Sequence, residues 1–327
     1  MLGFTAVLLI YTVVGGMVAV VYTDAFQLVV MGLGALFAVP LAIRQVDGMS
    51  ALLTLAESAH PLVFTWDTMP AVLLFTMGLS FFLGGIATPE KLIRLYAMKD
   101  MRAIRRGVLF AIVMILCINL LVFVLALAAI VLFPTLPTGD MAMPMVAMAV
   151  LPTTLGAIML AAITAAMMST VDSLLIVAGS ALSVDIYQNL IQPDASPQRR
   201  RWIDRIGILV VGSVPLLLLL SGVGEGELIQ FIVLLFTALM AAAFVMPVVG
   251  GVVWKRATQE GAMSAMVGGV ASTFLWEAFG TPNVEPVLLG FLVSAALFVV
   301  VSLLTPPPPD SALAPYFEST TQPGASS

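Results

Sequence analysis

Charge is what this chain has least of: Asp, Glu, Lys and Arg make up 9% of its residues, against about 25% in ordinary soluble domains. Hydrophobic residues fill 61%, which excludes a water-soluble globule and marks an integral membrane protein. One cysteine and one histidine occur, so an internal disulfide framework and a zinc-type cluster are both excluded. Cys117, inside an apolar stretch, is expected as a buried small hydrophobe, and His60, beside Pro61, as a solvated loop residue. No nucleophile, metal cluster or acid/base pair stands out, so neither an enzyme nor a cofactor is expected. The net charge of −5 says little about partners in a chain whose surface mostly meets lipid, and no nucleic-acid partner is expected.

What the chain has in abundance is long apolar runs. Eight plausible spans fall near 18–43, 69–89, 107–133, 152–180, 206–221, 229–253, 261–280 and 286–304, after a shorter run at 2–14. At about 1.5 Å per residue that first run reaches about 20 Å, short of a hydrocarbon core about 30 Å thick, so it is expected as a helix whose beginning is cut off. It has no Lys or Arg ahead of it and no small-residue cleavage site, which argues against a signal peptide. The expected architecture is all-α: a polytopic membrane helix bundle over residues 1–304, with a disordered Pro-rich tail over 305–327.

Basic residues set the orientation. Lys91, Arg94, Lys99, Arg102, Arg105 and Arg106 fill one connection, Arg199, Arg200, Arg201 and Arg205 the next but one, and Lys255 and Arg256 the next but one again. Cationic loops stay cytoplasmic, so these connections and the C-terminus are expected inside, while Asp47, Glu57, Asp67, Asp140, Glu225, Glu227 and Glu285 mark the outer loops. Gly15-Gly16 then makes an inner turn.

Within the run 164–173, Ser169, Thr170 and Ser173 share one helical face with Ala166, and Asp172 lies on its flank. Hydroxyl and carbonyl oxygens are what a small hard cation needs when it sheds water. Ser and Thr also bond back to their own helix, so cation binding and ordinary packing both stand on this segment alone. Further on, Gly84-Gly85-Ile86-Ala87-Thr88-Pro89-Glu90 reads either as a helix interruption and restart, with Thr88 capping and Pro89 opening the next helix, or as a close helix crossing. Pro215 and Pro247 sit within spans as possible kinks. Asp24 reads as a cation route or as an interfacial anchor beside Tyr22, and Asn119 as an interhelical hydrogen-bonding residue.

Several of these stretches together resemble a known family. The run Ile10-Tyr11-Thr12-Val13-Val14-Gly15-Gly16 through Thr23-Asp24-Ala25-Phe26-Gln27, the segment Ala161 to Ser173 followed by Ser183-Val184-Asp185-Ile186-Tyr187, the stretch Pro89 to Arg94 and the stretch Phe244 to Arg256 stand in the order of the sodium/solute symporter family. That resemblance implies a partial inverted-repeat fold like that of a bacterial leucine transporter, with span 18–43 as the fifth core helix and the spans from 69 to 253 as the sixth to tenth.

It further implies sodium as the coupling ion, held by the Ala166 carbonyl and the Ser169 and Thr170 hydroxyls, with Asp24, Asp172 and Ser173 along the cation path. Phe81 and Phe82, with Gly84 and Gly85, would gate the solute site. Nothing corresponds to the first core helix, so part of the sodium shell is expected from elsewhere, a separate polypeptide being one source.

The function expected is sodium-coupled symport of a small organic solute across the plasma (inner) membrane. The Phe-Phe-Leu gate offers few hydrogen-bond donors for a sugar, which favours a carboxylate such as proline, pantothenate or a monocarboxylate. The alternative is a non-transporting membrane sensor or scaffold derived from a symporter.

Overall fold

The computed structural model describes residues 2–65, 69–222 and 229–317, and among them it contains helices and turns but no strand. Asp67, Glu225, Glu227 and the tail beyond Phe317 lie outside the described residues. The chain divides into two compact units, Met1–Trp66 with Ile93–Leu228, and Asp67–Leu92 with Ile229–Ser327.

In the first unit, α1 (Leu2–Gln45) is broken at Gly16, whose φ of 59° and ψ of −162° lie where only glycine sits without strain. The expected inner turn is therefore a sharp break between two helical halves. Then come α2 (Met49–Ala59), α5 (Met101–Leu132), α6 (Ala142–Val150), α7 (Thr153–Ser180) and α8 (Pro197–Leu220). The α7 helix continues as a π-helical stretch, Ala181–Ile191.

Asp100 opens α5 by accepting a hydrogen bond from the Ala103 amide at 2.7 Å. The apolar length of that helix is mostly uncovered, as a lipid-facing surface must be. Small residues of the second half of α1, Ala35, Ala38 and Ala42, pack with Leu52 and Ala56 of α2, the end of α5 and Met159 of α7. Leu8, from the first half of α1, packs against Leu175 and Ile208.

The second unit holds α3 (Ala71–Ala87), α9 (Ile229–Met240), a π-helical stretch Ala241–Gly250 that contains Pro247, the single turn α10 (Gly251–Val253), α11 (Gln259–Phe279), α12 (Val287–Leu304) and α13 (Asp310–Phe317). Its core joins Leu83 and Ala87 to Ala238, Ala241, Val245 and Val287. The short α4 (Pro89–Tyr96) follows α3 after the single residue Thr88.

Each expected span lies on a helix. Six helices among the described residues are long and apolar enough to cross a membrane, ending at Gln45, Tyr96, Leu132, Ile191, Val253 and Leu304. The other two expected spans form α8 and α11, of 24 and 21 residues.

The interruption falls where the sequence places it: Thr88 is extended and Pro89 opens α4, while Gly84 and Gly85 stay helical. Thr88 opens α4 through its carbonyl, which accepts from the Lys91 and Leu92 amides, while its hydroxyl is buried without a partner. Other local details differ from expectation. Cys117 is exposed, because its side of α5 faces away from the bundle. Asn119 donates to the Ile115 carbonyl of its own helix at 2.9 Å, so it joins no second helix. In the tail, residues 310–317 form a helix, and the Lys255 ammonium lies 5.5 Å from the centre of the Phe317 ring.

Candidate cation site

The middle of α7 is built from alanine, methionine and hydroxyl residues, and the helix turns its polar groups in different directions. Asp172 is fully buried and Ser173 nearly so, Ser169 and Ala166 are half-buried, and Thr170 is exposed.

The Ser169 hydroxyl donates to the Ala166 carbonyl at 2.9 Å, so two of the three oxygens expected to hold sodium already stand side by side. The Thr170 hydroxyl makes no side-chain hydrogen bond among the described residues. One turn on, the Ser173 hydroxyl donates to the Ser169 carbonyl at 3.0 Å. Such back-bonds hold a hydroxyl loosely, since the helix ladder beneath them is complete without it.

Asp172 does not line that face. Thr12, in the first half of α1 and itself fully buried, has its hydroxyl 2.8 Å from Asp172 Oδ1 and 2.8 Å from the Leu8 carbonyl. Asp172 Oδ2 is buried and unpartnered. This contact joins residues 160 positions apart and fastens the first half of α1 to α7.

Asp24 lies in the second half of α1 with its side chain 18% exposed, while Tyr22 is exposed. The Arg94 guanidinium donates to Asp24 Oδ2 at 2.6 Å, and the same nitrogen, Nη2, donates to the Ser173 hydroxyl. Asp24 Oδ1 is buried without a partner, as is Oε1 of Gln27, the next turn along. The structure therefore brings Asp24 and Ser173 together through Arg94, a residue that sequence reasoning marked only as a basic-loop charge and as part of a motif. Thr12 likewise passed as a motif residue. No signal along the chain links either one to its partner, 70 or 160 residues away.

The expected gate residues belong to the second unit. Phe81 and Phe82 are exposed on α3. Gly84 is buried against α9, where an added Cβ would stand 2.6 Å from the Thr237 carbonyl oxygen. Ser80 reinforces this crossing, sharing a 2.9 Å hydrogen bond with the Thr237 hydroxyl and donating to the Leu234 carbonyl at 3.3 Å. Gly85 faces a looser environment, with only the Lys91 ammonium nearby at 3.6 Å. Of the two readings of the glycine pair, the close crossing describes Gly84.

Comparison with known proteins follows the same lines. The chain is 27% identical over 301 residues to the sodium/pantothenate symporter of Haemophilus influenzae, covering 88% of this chain and 62% of that protein. It is 29% identical over 304 residues to the sodium/pantothenate symporter of Escherichia coli, covering 89% and 61%. With the osmoregulated proline transporter of Bacillus subtilis the identity is 27% over 309 residues, covering 92% and 62%. The chain thus spans about three-fifths of the length of these relatives.

Among solved structures, a Na⁺-coupled sialic acid symporter in a substrate-bound outward-open state superposes with a TM-score of 0.75 at 21% identity, over 93% of this chain and 66% of that one. The two chains share one fold over that length. The profile of the sodium:solute symporter family matches residues 1–269, and the chain belongs to that family.

Proposed function

We propose that these helices work in the sodium-coupled symport of a small organic solute across the plasma membrane, with the C-terminus on the cytoplasmic side. In this reading the Ala166 carbonyl and the hydroxyls of Ser169 and Thr170 hold the coupling sodium. The observation that carries it is the freedom of those oxygens: Ser169 bonds only to the neighbouring Ala166 carbonyl, and Thr170 to nothing described. Both can turn to an ion without breaking a contact between helices. Three oxygens under-coordinate a cation, so further oxygen ligands complete the shell.

Phe81 and Phe82, with Gly84 and Gly85, form the apolar gate of the solute path, next to the crossing that Gly84 makes with α9. Their chemistry, and the pantothenate and proline carriers among the relatives, favour a small carboxylate solute. Membership of a family of transporters does not favour the sensor or scaffold alternative.

The test is uptake of labelled proline, pantothenate and short monocarboxylates by the full-length protein in proteoliposomes. Accumulation should require an inward sodium gradient, and sodium and solute should each raise the other's affinity. Accumulation that continues after the gradient is collapsed would overturn the proposal. Ser169→Ala should raise the sodium concentration needed for half-maximal uptake before it alters solute affinity.

A further inference from the structure

The contacts of Arg94 deepen the sodium-coupled reading and rest on it. Ser173 lies one turn beyond Ser169, about 6 Å along the helix axis. Asp24, on the second half of α1, shares the Arg94 Nη2 atom with Ser173. A cation leaving Ser169 and Thr170 along α7 therefore meets a hydroxyl and a carboxylate that a single guanidinium nitrogen already holds. The Arg94 side chain is 41% exposed and that of Asp24 18%. The guanidinium thus reaches in from an accessible side, and the carboxylate sits deeper.

We propose that Arg94 is the gate on the cation's way out, a tethered positive charge standing where the coupling ion must pass. While the guanidinium bridges Asp24 and Ser173, the end of the route is closed. An ion arriving at Ser173 competes for the same oxygens and repels the guanidinium, which withdraws toward its exposed side and frees the path. Arginine suits this task better than lysine. Its guanidinium is more weakly hydrated than an ammonium and stays charged at any physiological pH, so the gate answers to the cation and not to protons.

Two measurements on the full-length protein in proteoliposomes test this. The first uses unaltered protein and phenylglyoxal, which modifies accessible arginines, with the Arg94 peptide followed by mass spectrometry. Sodium should speed its modification relative to potassium, and equal rates in the two ions would overturn the gate. The second compares Arg94→Gln and Arg94→Lys. The Gln variant should leak labelled sodium without solute about tenfold faster than the parent and carry less solute per sodium, with Lys in between. A Gln variant with parental leak and coupling, in a protein that still gives heat on sodium titration, would sink the gate and leave the sodium reading standing. A parent protein that gives no such heat would sink both.

Discussion

The stretch 166–173 of α7 and the stretch 80–88 at the end of α3 look alike as sequence, each mixing hydroxyls and other small residues with large apolar ones inside an apolar span, yet the structure uses them in opposite ways. On α3, Ser80 and Gly84 are pinned to α9 by contacts with Thr237 and Leu234. On α7, the hydroxyls of Ser169 and Thr170 hydrogen-bond to no second helix among the described residues, while their neighbours Asp172 and Ser173 bond to Thr12 of α1 and to Arg94. A hydroxyl bonded across helices belongs to the packing. One bonded only to its own helix is available to a ligand.

The most severe test of that contrast is steric. Gly84→Val drives a side chain into the backbone of Thr237, which cannot yield, and should destabilise the second unit by about 3 kcal/mol. Gly85→Ala meets only the mobile end of Lys91 and should be close to neutral. Thermal unfolding in detergent reads both, and similar losses at the two sites would erase the distinction between a crossing and an open face.

Next comes the clasp between α7 and α1. Asp172→Ala removes the charged acceptor that ties Thr12 to α7, leaving the Thr12 hydroxyl on the Leu8 carbonyl of its own helix, and should cost about 2 kcal/mol, whereas Asp172→Asn keeps an acceptor for Thr12 and should cost less. Equal losses would mean that the hydrogen bond to Thr12 adds nothing.

A smaller effect separates ligand from packing. Thr170→Ala should leave the unfolding temperature unchanged and weaken sodium binding about tenfold, roughly 1.4 kcal/mol, whereas Thr237→Ala should do the reverse. Sodium titration calorimetry on the full-length proteins decides, and a Thr170→Ala protein with parental heats would remove that hydroxyl from the site.

The smallest effect concerns Glu285, in the loop before α12, whose backbone amide bonds the Thr76 hydroxyl at 3.1 Å. Burial, and then the nearby Glu277 carboxylate, raise its pKa above 4.5. The folded protein therefore holds that proton more tightly than the unfolded chain does. The contribution of Glu285 to stability is intact below about pH 4.5 and falls as the pH climbs through the raised value. Glu285→Gln should flatten that part of the stability profile and slightly raise the unfolding temperature at neutral pH, and a profile that keeps its slope would exclude Glu285 as the source.

Much of the fold was legible because a bilayer constrains a chain so strongly: apolar length predicts a helix at each expected span, and the Gly15-Gly16 pair predicts the break that Gly16 makes. Helical spacing likewise puts Ser169 beside Ala166 and Ser173 beside Ser169, as their back-bonds show, but it does not say that Ser173 is buried and Thr170 exposed. The misreadings share one cause. Cys117 and Asn119 sit on a helix whose apolar character is satisfied by lipid as well as by protein, so hydrophobic surroundings in sequence did not mean burial in the bundle. The interruption at Thr88-Pro89 was legible, whereas the use of Gly84 as a flat surface against α9 answers a demand that only the neighbouring helix makes.

The sequence by itself determined that this is a membrane bundle of the sodium:solute symporter family and where its helices lie, because motif order, periodicity and apolar length are properties of the chain alone. Only the tertiary structure decided that Asp172 fastens α7 to Thr12 and that Arg94 closes on Asp24 and Ser173. Those partners stand far apart along the chain, and a charge inside a membrane finds its counterpart through packing that no local pattern encodes.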